Sequence, residues 1–240
     1  MDVEFIPPSG VRDLMARVER ARHMVTDRFP NAPGRLDDPA YWESVFEANA
    51  AAVLDVLRRV QLPSTHAVRY RFYGRAGGDL LVRPFVARTT TDVSTIRRLI
   101  DWHPAPDSVA PALRAQATQD VEFLYGHFTY ERSAFGFFEY WVAMQELWAS
   151  ARWVHSRVIA DANDFAEITG RAQWRIEQQV ERFEPAVILD GDGGAQLAVL
   201  LHCHLDRASV ALYRIEIRKD QTVQFVEAIP VAHGPRGYVM

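Results

Sequence analysis

A chain of 240 residues with 48% hydrophobic and 24% charged side chains has the balance of a globular protein, which excludes global disorder. Its formal charge of −4, from 27 basic and 31 acidic residues, excludes a strongly basic footprint. The longest basic clusters are Arg58 with Arg59 and Arg97 with Arg98, too short to track a phosphate backbone, so no nucleic-acid partner is expected.

Cys203 is the single cysteine, which rules out an intramolecular disulfide and fits a reducing compartment. Residues 1–5 carry acid rather than the basic-then-apolar pattern of a secretory leader. No stretch reaches the ~18 consecutive apolar residues of a membrane helix. The expectation is a cytoplasmic protein with no membrane partner.

In chain order, Ser9 caps a helix whose apolar side chains are Val11, Leu14, Met15, Val18, Val25 and Phe29, until residues 30–34 (Pro-Asn-Ala-Pro-Gly) end it. Asp38 and Pro39 read as an N-cap followed by proline at the first helical position. Trp42, Val45, Phe46, Val53, Val56, Leu57 and Val60 continue that second stripe to about Gln61, with Asn49 as its one polar member. The period then changes from 3.6 to 2. Val68, Tyr70 and Phe72 alternate with Arg69, Arg71 and Tyr73, a glycine-rich loop follows at 74–78, and residues 80–88 complete a hairpin. Pro84 marks an edge position, because proline cannot donate to a ladder.

Helical signals return with Thr91, Asp92 and the stripe Val93, Ile96, Leu99, Ile100, broken by Pro104 and Pro106. Helices are predicted over 108–125 and over 135–160. In the latter Phe137, Met144, Ala151 and Val158 repeat every seven residues, and Trp141, Trp148 and His155 follow on a neighbouring row. Residues 171–183 fit a helix or a strand equally well. Beyond them, strands are predicted at 186–189, 196–204, 209–218 and 222–231, joined by three tight turns, as an antiparallel meander.

These elements imply an α+β fold. Its antiparallel sheet combines the N-terminal hairpin with the C-terminal four-strand meander, packed on one face by several helices that include one long aromatic-rich helix. No linker or repeat interrupts the chain, so one domain is expected over 1–240: helical 1–62, hairpin 66–88, helical 91–170, meander 185–233.

Candidate chemistry begins at His202 and His204, which a strand would place on one face, as two ligands of one metal would need. With Asp206 they form a His-x-His-x-Asp pattern that superficially resembles the start of the metallo-β-lactamase signature. Arg207 stands where that signature has another histidine, and the pattern lies near the C-terminus, so the resemblance is not carried over. Two histidines without a placeable third ligand define no metal site, and no metal or cofactor is assigned. Cys203 would face the opposite side as a buried, inert thiol.

The same polar face could carry Arg214 and Glu216 of the next strand, while Arg69, Arg71 and Tyr73 line one side of the hairpin. Facing a concavity, these residues would orient a small acidic ligand or run acid–base chemistry through His202, His204 and Glu216. Facing water, they are the solvated side of an antiparallel sheet.

Trp141 and Trp148 head an aromatic cluster that either fills a core or anchors a partner. Glu139 and Glu146 stack seven apart but lack the Glu-x-x-His pairs of a dimetal helix bundle. Residues 190–194 (Asp-Gly-Asp-Gly-Gly) lack the closing Glu of a calcium loop, and 74–78 lack the Lys-Ser/Thr ending of a phosphate loop.

Two functions remain. One is a binding or accessory protein that holds a protein or peptide partner, or another copy of itself, through aromatic surface or an exposed sheet edge near Pro84 or Pro230. The other is a small-molecule enzyme with a sheet-lined pocket, using His202 or His204 as acid/base and Arg71 or Arg214 as anion anchor.

Overall fold

A computed structural model describes residues 2–29, 38–76, 79–92, 121–122, 124–148, 156–170, 173–203 and 207–236, with the backbone alone at 72–76, 79–82, 121–122, 207 and 236. The described elements begin with β1 (Val3–Phe5), α1 (Pro8–Arg28), α2 (Pro39–Val56), β2 (Val60–Gln61), β3 (His66–Ala76) and β4 (Asp79–Arg88). They continue with β5 (Val121–Glu122), β6 (Thr129–Tyr130), α3 (Ala134–Trp148), β7 (Ser156–Val158) and α4 (Ala162–Thr169). Last come β8 (Arg175–Ile176), β9 (Ala186–Leu189), β10 (Ala195–Cys203), β11 (Arg207–Ile217) and β12 (Val223–Arg236).

The fold is α+β with antiparallel sheets, and the chain groups into two compact units. One contains Met1–Arg17, Tyr130–Met144 and Arg152–Met240; the other contains Val18–Thr129 and Gln145–Ala151.

The first unit is built on a seven-stranded sheet in the order β1-β9-β10-β11-β12-β8, with β7 also paired to β10. The strands β9 to β12 form the expected meander, each antiparallel to the next. Alternation explains its two faces. Ala195, Leu197, Val199 and Leu201 of β10 share a buried face with Ile215 and Ile217 of β11. On the opposite face, Gln196 and Arg214 are exposed at one end of the strands. At the other end Leu200 and Val210 lie beneath a second layer formed by Ile159, Phe165 and Ile168 of the α4 region, with Trp174, Val180 and Phe183. The sheet is therefore wet on one face along half its length and covered on both faces along the rest.

Helix α4 starts where Asp161 accepts hydrogen bonds from the amides of Asn163 and Asp164 (both 3.0 Å), an N-cap that satisfies otherwise orphaned donors. Arg12 pairs with Asp161 and, at 3.2 Å, with Asp164. The Asp161 carboxyl is held below its usual range by the capping amide of Asp164 and then by Arg12. Residues 190–194 form the turn between β9 and β10. Asp190 accepts from the amides of Asp192 (3.1 Å) and Gly194, and Gly193 adopts φ +91°. Its carboxylate thus closes the loop on itself.

In the second unit α2 packs on β3 of a three-stranded sheet, β3-β4-β5. Asp38 caps α2 by accepting from Ala40 (3.0 Å) and Tyr41 (3.3 Å), with Pro39 leading the helix as the sequence indicates. The rings of Phe46 and Tyr70 lie 5.6 Å apart, and the Tyr70 hydroxyl donates to the Leu147 carbonyl (2.8 Å).

Several boundaries differ from the sequence expectation. The hairpin β3–β4 belongs to its own sheet with β5 instead of extending the meander. Helix α2 ends at Val56, where Leu57 turns extended (φ −77°, ψ 143°), and Val60 is buried from a strand. A stripe ending in Val56, Leu57 and Val60 is satisfied by either conformation. Residues 121–122 pair with Val86 and Ala87 as strand β5, and 124–126 turn, so the helix expected through 125 does not reach there. Likewise 156–158 form strand β7 against β10 instead of ending a long helix, because Val158 finds its buried site opposite Leu201. Residues 173–183 are irregular apart from β8. The stripe at 93–100, the prolines at 104 and 106, the rest of 108–120 and the heptad members Ala151 and His155 lie outside the described residues.

Candidate functional site

Alternation correctly sets His202, Arg214 and Glu216 on one face of β10 and β11, since Ala198 opposes Arg214 and Gln196 opposes Glu216. It does not bring them together. His202 lies four residues along β10 from Ala198, which is ~13 Å at strand spacing, and farther still from Gln196. His202 is 5% exposed, opposes Arg157 and Val210, and its ring lies 5.7 Å from that of Trp174 at the edge of the apolar layer under α4. Arg214 and Glu216 instead look towards solvent, Arg214 pairing with Glu227 (3.5 Å) and Glu216 with Arg218 (3.3 Å). His204 lies outside the described residues. Cys203 is half-buried on the face opposite His202.

Arg69, Arg71 and Tyr73 sit on β3, in the other unit. Arg69 binds Glu47 of α2 (2.7 Å) and Arg71 binds Glu43 (3.2 Å). Both cations are thus matched by carboxylates of the helix above them. The side chain of Tyr73 lies outside the described residues. Arg69 and Glu47 border an open groove of about 750 Å³ between α2 and β3, with Leu54, Asp55 and His66 among its lining. The His66 Nδ1 lies 2.9 Å from the Thr65 hydroxyl.

Trp141 is buried in α3, 5.6 Å from the ring of Phe138, and is a core residue. Trp148, 40% exposed, sits 6.1 Å from Tyr125, whose hydroxyl is pushed above its usual range by burial. Glu139 and Glu146 each face an arginine of α1: Arg17 approaches Glu139 at 3.6 Å, and Arg22 binds Glu146 through two nitrogens. Among the described residues no group of three His, Cys, Asp or Glu side chains is placed to hold a metal ion. No helix among them is long and apolar enough to cross a membrane.

One open feature among the described residues is the outer edge of β12. On its inner side β12 pairs with β11 along its length. On its outer side, among the described residues, strand pairing is confined to Ala232 and His233 against β8. The amides of Glu177 and Gln178 also donate to the Val231 carbonyl (2.8 and 3.3 Å). Among the described residues, 223–230 thus have no strand partner on that side. Five residues in succession, 224–228, are exposed, including Phe225 (55%) and Val226 (58%).

The register explains the exposure of Val226. Opposite β11, the partner steps from Glu227 at Arg214 to Phe225 at Ile215, so Val226 is the extra residue of a β-bulge. Phe225 keeps to the face of Ile215, its ring 5.6 Å from Tyr213, whose hydroxyl burial also pushes upward. Glu227 keeps to the face of Arg214. The formal charges cancel locally, since Arg214 meets Glu227 and Arg218 meets both Glu216 and Gln224. The edge offers ladder donors and acceptors beside two apolar side chains.

The sequence marked this edge only through Pro230. The adjacent apolar pair Phe225 and Val226 was the signal that could have found it, because strict alternation would have turned one of the two inward. Set against family models, curated proteins and solved structures, the chain matches none of them.

Proposed function

We propose that this chain is a cytoplasmic binding or accessory protein that holds an extended protein segment along the outer edge of β12. The supporting observation is the stretch 223–230, which among the described residues has no strand on its outer side and whose residues 224–228, with Phe225 and Val226, are exposed. A free edge presents a row of main-chain donors and acceptors that an incoming strand satisfies, while flanking side chains select it. The incoming row is bounded at one end by β8 and at the other by the turn at 218–222, which leaves room for about eight residues, or ~26 Å of strand.

A pocket enzyme based on His202 draws less support, because His202 packs beside Trp174 while Arg214 and Glu216 pair with neighbours in solvent. Conversion of His202 to Ala is accordingly expected to act on stability.

The test is a photoreactive phenylalanine analogue introduced at position 225, with Met24, also exposed, as control site. Irradiation of the native host producing each variant is expected to give one discrete protein adduct at 225 and none at 24. A bare chain at 225, or the same diffuse products at both positions, rejects the reading.

A further inference from the structure

We infer that the segment received by β12 is the β12 of a second copy of this chain, lying antiparallel across a twofold axis, an inference that rests on the edge reading above.

Length is the first argument. The open stretch ends at Pro230, which lacks an N–H for the ladder, and just beyond it β8 occupies the row opposite Ala232 and His233. At the other end it begins after the turn at 218–222. One copy therefore offers an open edge as long as the strand that the other copy supplies.

Register is the second argument. Directly opposed residues of an antiparallel pair share a face, so a register must match the two faces of β12 on either side of the bulge. Placing Phe225 opposite the partner's Val226 does this. Gln224 then meets Glu227 of the partner subunit on one face, and Val223 meets Ala228 of the partner subunit on the other. The ladder runs out as it reaches Pro230 and β8.

Complementarity is the third. In this register the two exposed apolar side chains meet across the axis and cover one another. No like charges are directly opposed. Arg218 already donates to the side-chain oxygen of Gln224, so each Glu227 carboxylate approaches a Gln224–Arg218 pair of its neighbour. An isologous contact makes each such interaction twice. With about eight residues a side, the contact falls short of the roughly 20–30 residues a side of a standard interface, so a concentration-dependent dimer is expected.

Sedimentation equilibrium of the purified chain tests the occupant. Wild type is expected to pass from monomer to dimer with concentration. Gln224→Glu places a carboxylate against each Glu227 of the neighbour and should raise the dissociation constant about tenfold. The double variant Gln224→Glu, Glu227→Gln removes that repulsion and should restore it. Phe225→Asp should leave only monomer with an unchanged far-ultraviolet circular dichroism spectrum. A wild-type chain that stays monomeric, or a dimer indifferent to all three variants, overturns the inference. The crosslink at position 225 separates the two readings. An adduct of twice the chain mass supports both, an adduct with a different protein overturns only the second copy, and no adduct overturns both.

Discussion

Arg22 and Glu146 illustrate how a buried charge is kept in this protein. Glu146 is 3% exposed, and Arg22 grips it from α1, Nε to Oε2 at 2.7 Å and Nη2 to Oε1. Burial pushes the Glu146 carboxyl above its ordinary range, and the guanidinium only partly offsets this. A carboxyl whose folded-state pKa is raised favours folding most below the ordinary glutamate range. That contribution is lost as pH rises through the raised value. Arg22→Ala leaves the carboxylate without its cation and should cost about 3 kcal/mol. The sign of the shift fixes the pH dependence: without Arg22 the carboxyl rises further, so the loss should be larger at pH 8 than at pH 5. Urea unfolding at the two pH values measures it, and an equal loss at both would show that Glu146 does not carry the effect. The seven-residue spacing of Glu139 and Glu146 thus reports two arginine partners on one neighbouring helix.

At the scale of elements, legibility followed how local the deciding interaction is. The meander was readable because period-2 alternation, Asp-Gly turns and short connections all act within a few residues. The expected helices at 108–125 and 135–160 ran too long because a stripe of buried side chains suits either conformation. What turned 121–122 and 156–158 into strands was a partner far along the chain: Val86 and Ala87 for one, residues 201–203 for the other. Strands of two or three residues such as β1 and β8 carry no periodicity of their own. The site was half legible for the same reason. Alternation put His202, Arg214 and Glu216 on one face, but their burial depends on whether α4 and Trp174 lie above them, which no local pattern encodes. Gly234 tests that cover. A Cβ there would sit 2.7 Å from the Trp174 ring, so Gly234→Ala must push the indole off its seat beside His202. We expect a loss of about 1–3 kcal/mol, the usual cost of overpacking, and a red-shifted tryptophan emission. Unchanged stability would mean that Trp174 does not seal that end of the sheet.

For the molecule as a whole, net charge sets how readily two copies approach. Charges along the β12 edge cancel in pairs, so the contact itself has little dependence on pH. The long-range term differs. Each copy carries a formal −4 near neutrality, and the sequence pI is about 6.1. Two such copies repel at pH 8 and lose that repulsion as pH falls towards 6. The dissociation constant of the dimer should therefore fall between pH 8 and pH 6. The change should shrink at high salt, where the Debye length drops to about 3 Å at 1 M and distant charges no longer sense one another. Phe225→Asp separates this term from any pH effect on the fold: it should remain monomeric at both pH values. Sedimentation of both proteins across the four combinations of pH and salt measures the prediction. Association that strengthens with rising pH would place titrating groups inside the interface, where residues 223–230 hold Glu227 as their one ionisable side chain, and would count against β12 as the contact.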